Sequence, residues 1–504
     1  MRKSKKLFFG LSISIVLCFL VFSCSRKVDN SVNLRLESFA INLSPLKIAD
    51  TESMQVASLL YSPLVAVNAD GSIEPRIAKE WRQIDEKTWE FDLRNDLTFS
   101  NGAQLKATDV VASIRKAMQP VSPWAWALTN IMHEPGGNKD EIKCTGLQAL
   151  GDYKVRILLT KPDPALLHKL DGPPGWIVPN NADEGEYGIM SGTGPYTIGN
   201  VTPDASIMLE ARTDGSVPVP KVKKIVFKYI ADEIQTGKMF EAGSIDALSI
   251  NTPRLLEQLI SQQNNKIKLK VKGTLVNIPS ERVRIVIVNE QRLKVKGFSS
   301  KDVEIFIKGL NSKINRDALI ELGKGSLTEP LKTSFPPANN TYNTVEDPNE
   351  NDLMKLPGVS LTILCESDPY SDLIASIVAK TKVGKVEMTY KGIEKGLLIN
   401  ALVTKDYDLV SILLDANINT PEYWASFFQP GSPFSVFGKQ IHEMENIDLG
   451  SDEGIKQAGN LIMRYGNWIG LVKERRIFAM REGISGVRFT PSGQPRYENI
   501  GKSK

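Results

Sequence analysis

The residues able to do chemistry are few and widely spaced. Three histidines occur in 504 residues, His133, His168 and His442, and none has a second histidine at metal-ligand spacing. The segment His442-Glu443-Met444-Glu445-Asn446 lacks the second histidine of a zinc-protease helix. Of the four cysteines, Cys18, Cys24, Cys144 and Cys365, no two form a CxxC motif or a Cys/His ligand set, so Cys144 and Cys365 are expected to be separate buried thiols. There is no GxSxG elbow for a nucleophilic serine. Gly501-Lys502-Ser503 resembles the end of a phosphate loop, but Arg496 stands where the first glycine is required. Gly192-Thr193-Gly194-Pro195-Tyr196 lacks the third glycine of a dinucleotide fingerprint, and Pro195 would interrupt the helix that such a site needs. Nothing in these residues argues for a reaction, and no cofactor or metal is expected.

One carboxylate is placed where a ligand could meet it. From Gly358 onward the pattern predicts a strand over 359–365, a helix over 370–380, a strand over 385–391, a helix over 393–403 and a strand over 407–414. Leu373, Ile374, Ile377 and Val378 would form the apolar side of the first helix. Two consecutive βαβ units imply a mostly parallel sheet covered by helices. The last strand ends at Asp415, and such sheets bind ligands in the crevice outside the carboxyl ends of their strands. The same position also suits a turn or a helix cap.

Earlier in the chain, Val32–Leu36 reads as a strand and Asp50–Leu60 as helical. Thr88–Leu93 alternates as a strand does, and Asn101-Gly102 marks a turn. Thr108-Asp109 is expected to cap a helix over Val110–Met118.

The start of the chain is basic, with Arg2, Lys3, Lys5 and Lys6, followed by an uncharged apolar run from Leu7 to Phe22. That run is short for a membrane span, which needs about 20 residues. With Val21-Phe22-Ser23-Cys24 it resembles a bacterial lipoprotein signal, which implies cleavage before Cys24 and a lipid anchor on its thiol. An uncleaved anchor and an ordinary cleaved signal are the other readings, and each also exports the body. The formal charge of +4 arises from 62 Lys and Arg against 58 Asp and Glu. Subtracting the leader's 4 bases leaves 62 − 4 = 58 against 58, a neutral body with no footprint for nucleic acid.

From Leu59-Leu-Tyr-Ser-Pro-Leu-Val65 the chain resembles the extracytoplasmic solute-binding proteins of peptide and nickel ABC importers, family 5. The similarity runs through Val67–Trp81, Trp89–Gly102 and Leu105–Val111. It returns at Gly192–Tyr196, Ala242–Ala247, Gly309–Leu319 and Gly483–Phe489, in the family order. The resemblance implies an α/β protein with a two-lobed, periplasmic-binding-protein-like fold of type II. It also implies an extra subdomain in the first lobe and a hinge between lobes. The expected division is a signal peptide over 1–23, a first lobe over 24–50, 192–272 and 483–504, an inserted subdomain over 51–191, and a second lobe over 273–482.

In peptide-binding members, a carboxylate after a strand of the second lobe pairs with the ligand's α-ammonium, and Asp415 matches that position. Asn417, Tyr61 and Trp424 are the other expected ligand-binding residues. Ala416 stands where the family usually has Tyr, and Trp424 with Phe427-Phe428 follows at a spacing that also suits a core. The resemblance implies a lipid-anchored monomer in the cell envelope. It would capture oligopeptides or a similar small solute and deliver them to an ABC permease and ATPase. The alternatives are a binder of a nickel chelate or sugar oligomer, a signalling receptor, and an exported hydrolase.

Overall fold

The computed structural model describes residues 31–503, apart from 40–41, 49, 136–141, 183, 190, 264–265, 324–327, 332, 334, 339–346, 416–419, 431–433 and 435–436. Cys24 and Asn417 therefore lie outside the described residues.

An 11-stranded sheet runs through both lobes. Its strands are β1 (Ser31–Leu36), β2 (Tyr196–Thr202), β3 (Ser206–Ala211), β4 (Lys224–Tyr229), β5 (Ala247–Ile250), β6 (Gly273–Val288), β7 (Thr328–Pro330), β8 (Ser360–Glu366), β9 (Glu387–Ile393), β10 (Leu409–Asp415) and β11 (Trp468–Arg481). Their order is β2-β3-β4-β1-β5-β11-β6-β10-β8-β9, with β7 on β11. β6 and β11 are the long antiparallel strands that cross between the lobes. Gly273–Ile278 pairs with Arg481–Arg476, and Arg282–Ile287 pairs with Glu474–Trp468. The register shifts between Ile278 and Arg282 and again between Arg284 and Ile285; the first of these irregularities is termed the hinge.

The expected mostly parallel sheet is realised locally. β8 pairs in parallel with both β9 and β10, and β1 with both β4 and β5. The crossing strands make the whole sheet mixed, because a chain that returns through the same hinge must run antiparallel to its outward path.

Helix α1 (Thr51–Ala57) begins at Asp50, whose carboxylate accepts from Ser53 N at 2.8 Å. A four-stranded sheet, in the order Ala78–Asp85, Thr88–Leu93, Lys154–Leu158 and Leu147–Ala149, packs with α2 (Ala107–Ala117). Gly102 sits at φ +86° in the Asn101-Gly102 turn, a conformation that glycine adopts without strain. The start of α2 differs from expectation. Lys106 is the N-cap residue, and Asp109, one turn in, accepts from Lys106 N at 2.9 Å. A carboxylate at the third helical position can reach back to the cap amide, so Thr108 is left inside the first turn.

In the second lobe α3 (Pro369–Ala379) and α4 (Lys395–Thr404) form the two crossovers. Ile374 and Val378 are buried beneath α3, but Leu373 is 51% exposed and lies off the buried stripe. Cys365 is buried in β8, while Cys144 is partly exposed, and both are free thiols. A short helix, α5 (Pro421–Ser426), brings Tyr423 against Trp126 of the four-stranded subdomain at 5.5 Å between ring centroids. That subdomain and the adjoining face of the second lobe share one continuous apolar core.

Candidate functional site

The break in the crossing strands assembles a cluster of charge. Asp415 ends β10 directly opposite Arg282 of β6. Its Oδ2 accepts from Arg476 Nη2 of β11 and lies 3.8 Å from Arg282 Nε. Gln494 Nε2, from the C-terminal segment, donates to the same oxygen at 3.3 Å. Tyr423 OH donates to the Asp415 carbonyl at 3.0 Å and fixes the end of the strand. Arg282 Nη1 also donates to Asn251 Oδ1 at 2.9 Å, and Asn251 donates in turn to Glu37. Glu37 is held by Arg35 at 3.1 Å.

The arginine side chains are 8% (Arg282) and 4% (Arg476) exposed, against 21% for Asp415. Burial pushes the Arg476 guanidinium below its usual pKa, and Arg282 adds to that, with Asp415 opposing. Two arginines face the Asp415 carboxylate, while Glu37 is bonded to Arg35 and Asn251. Among the described residues, Nε of Arg282, Nε of Arg476, Oδ1 of Asp415 and Oε1 of Gln494 are buried without a hydrogen-bond partner. Buried polar atoms are normally satisfied, so four such atoms in one cluster are unusual.

Gln494 also lines a cavity of about 270 Å³ between α1, the four-stranded subdomain and the C-terminal segment. Its walls include Gln55, Tyr61, Trp176, His168, Asp171 and Arg496. Arg496 Nη2 donates to Asp171 Oδ1 at 2.6 Å. Burial raises the Asp171 carboxyl to about 6, with Arg496 pulling the other way. His168 is pushed down by burial, against the pull of Glu422. Most of the wall's charge is internally matched: Arg76 pairs with Glu74 and Glu498, Arg94 with Asp96, and Arg496 with Asp171. The unmatched charge is at the hinge. Among the described residues no group of three or more His, Cys, Asp or Glu is arranged to hold a metal ion.

The expected site residues are distributed unevenly. Tyr61 lines the cavity, buried, with its ring 5.9 Å from Trp176 and its hydroxyl donating to Leu43 O at 2.9 Å. Asp415 lies at the hinge, but two guanidiniums already hold the carboxylate that was expected to take an ammonium. Trp424 is fully buried beside Tyr423 and Phe427, in the aromatic core and outside the cavity wall. Its apolar bulk is spent on packing, the reading its helical spacing had left open.

The match to a family model for bacterial extracellular solute-binding proteins, family 5 (middle region), covers residues 72–369. The chain belongs to this family. It is 26% identical over 328 residues to the nickel-binding periplasmic protein of Escherichia coli K12, covering 63% of this chain and 58% of that protein. It is 27% identical over 236 residues to the periplasmic oligopeptide-binding protein OppA of the same organism, covering 44% of this chain and 43% of OppA. The chain thus spans about half the length of the curated relatives it matches. In three dimensions it is similar to Haemophilus influenzae OppA in complex with RPPGFSPFR, with a TM-score of 0.76 at 17% identity, covering 95% of this chain and 99% of that one.

Asp415 of β10 thus ties Arg476 of β11 to Gln494 of the C-terminal segment.

The arginines were not singled out from the sequence, although a signal existed. Arg282 and Arg284 interrupt an otherwise apolar strand run, as Glu474-Arg475-Arg476 does in β11. Charges in a strand buried on both faces require partners.

Proposed function

We propose that this family 5 protein captures an oligopeptide or a similar small solute outside the cytoplasm and delivers it to an ABC permease and its ATPase. The observation that carries this reading is the unsatisfied polar cluster at the hinge, joined through Gln494 to a cavity. A ligand seated there would touch both lobes, and lobe closure is the motion by which periplasmic binders enclose their ligands. The peptide and nickel relatives support the solute class. The two arginines at the hinge favour a second reading, an anionic non-peptide solute such as a metal chelate. The division into a first lobe (24–50, 192–272 and 483–504), an inserted subdomain (51–191) and a second lobe (273–482) belongs to the same proposal, with the crossing strands shared at its borders.

Native mass spectrometry of protein purified without denaturation tests the reading, because a closed cleft retains its solute. A retained peptide mass supports it. Turnover of a panel of peptide and ester substrates would replace it with an exported hydrolase. We assign the membrane anchor to Cys24, so Cys24→Ser should move the protein from the membrane fraction to the soluble one or leave it unprocessed. Unchanged processing and retention would remove the anchor from the proposal.

A further inference from the structure

We propose that Arg282 and Arg476 together receive a carboxylate of the ligand, with Asp415 and Gln494 taking a neighbouring N–H. This rests on the solute-binding reading and names the chemical group that the hinge recognises. A carboxylate beside an amide N–H is the chemistry of a peptide's C-terminal residue.

The assignment follows from the four unpartnered atoms. Two are donors, the Nε atoms of Arg282 and Arg476, and two are acceptors, Oδ1 of Asp415 and Oε1 of Gln494. A ligand ammonium could use the acceptors, but it would stand beside two buried guanidiniums that outnumber the one carboxylate. Like charges in a site shielded from water repel strongly. A carboxylate meets the opposite balance, and charge-assisted bonds from arginine to carboxylate are among the stronger hydrogen bonds in proteins. Asp415 then acts on the arginines. Its Oδ2 holds Arg476 and offsets part of the arginines' mutual repulsion, leaving Oδ1 for a neutral donor. Glu37, the other carboxylate acting on Arg476, is already tied to Arg35 and Asn251.

Tetra-alanine in four forms (free, N-acetylated, C-amidated and doubly blocked) tests the assignment by calorimetric titration. N-acetylglycine, a carboxylate beside an N–H, serves as a probe outside the peptide reading. Amidation should weaken binding to the wild type about 10- to 100-fold, the range for losing charge-assisted bonds. N-acetylation should change it less than about threefold, within the spread of an exposed charge contact. Arg282→Gln leaves the Arg476–Asp415 pair in place, so the variant should melt as a folded protein while losing most of the amidation penalty. Arg282→Lys should restore part of it. The assignment falls if acetylation costs more than amidation, or if Arg282→Gln keeps the full penalty. If the peptides fail to bind while N-acetylglycine raises the melting temperature of the wild type but not of Arg282→Gln, the assignment holds and the peptide reading falls. If no probe binds, the assignment is overturned.

Discussion

Two arginine clusters sit two residues apart on the same crossing strand, and they have been built differently. Arg284 donates through Nε to Glu474 and through Nη1 to Ser371 Oγ at 3.1 Å, and its guanidinium lies 4.8 Å over the Tyr370 ring. No buried atom of Arg284 or Glu474 lacks a partner. Burial pulls the Arg284 guanidinium down, but Glu474 and Tyr370 outweigh it and the net shift is upward. At the Arg282–Asp415–Arg476 cluster burial prevails, the Arg476 shift is downward, and four polar atoms stay unsatisfied. A saturated pair is a structural brace. An unsaturated cluster, even with Asp415 one-fifth exposed, costs stability that a ligand completing it would return.

The comparison can be broken by experiment. Glu474→Ala strands Arg284 in the interior and should cost about 3–5 kcal/mol of unfolding free energy, the usual penalty for breaking a buried pair from one side. Urea denaturation measures it, and a loss below about 1 kcal/mol, the value of an exposed pair, would erase the distinction. Asp415→Ala should cost less, about 2 kcal/mol, because its carboxylate is one-fifth exposed and shares its charge with solvent. The same variant should bind acetate, a carboxylate without an N–H for Asp415 to accept, more tightly than the wild type, since it removes the negative charge bonded to Arg476. Equal stability losses in the two variants, or weaker carboxylate binding in Asp415→Ala, would show that both clusters are braces.

A third carboxylate sharpens the picture through pH. Glu52, in the first turn of α1, is raised to about 7 by burial first and then by Glu37, with Lys395 of the second lobe opposing and Asp50 adding slightly. The folded value lies above the ordinary carboxylate value of 4.5. The stability Glu52 contributes is therefore fully present below pH 4.5 and is lost as pH rises through 7. Between these limits the wild type should lose on the order of 2 kcal/mol through this residue, and Glu52→Gln should abolish that slope. Denaturation curves at pH 5 and pH 8 decide it, and a slope unchanged in the variant would place the titration elsewhere. The smallest effect belongs to Gln494→Ala, which removes one hydrogen bond to Asp415 and should cost about 1 kcal/mol. Its thermal melt should barely move, but its affinity for N-acetylglycine should fall. The reverse pattern would make Gln494 part of the brace.

Much of the local structure was legible because its causes are local. Asp50 and Asp368 cap helices with carboxylates that reach amides three residues on, at 2.8 and 2.9 Å. The alternation in Ser360–Glu366 marked the strand that it forms, with every second residue buried. The Gly192–Tyr196 turn was recognised, and the structure adds its reason: a Cβ on Gly194 would meet Leu59 O at 2.3 Å. Asp415 was found from its place at the end of a strand. Its partners were not, since Arg476 is 61 residues away and Gln494 79. The burial of Trp424 was not legible for a related reason, because an aromatic at helical spacing faces a core or a ligand according to which elements cover it.

The sequence by itself therefore determined most of the elements and turns, the family order of motifs and the edge on which Asp415 stands. Each depends on side-chain chemistry within a few residues, or on a periodicity that short stretches carry. Only the tertiary structure decided that Asp415 meets two guanidiniums, that Arg284 is saturated while Arg282 is not, and that Trp424 is core. Those outcomes turn on the pairing register of β6, β10 and β11 and on the angle between lobes. Both are set by packing summed over the whole molecule, and a shift of one residue in that register would turn Arg282 and Arg284 together to the other face of the sheet.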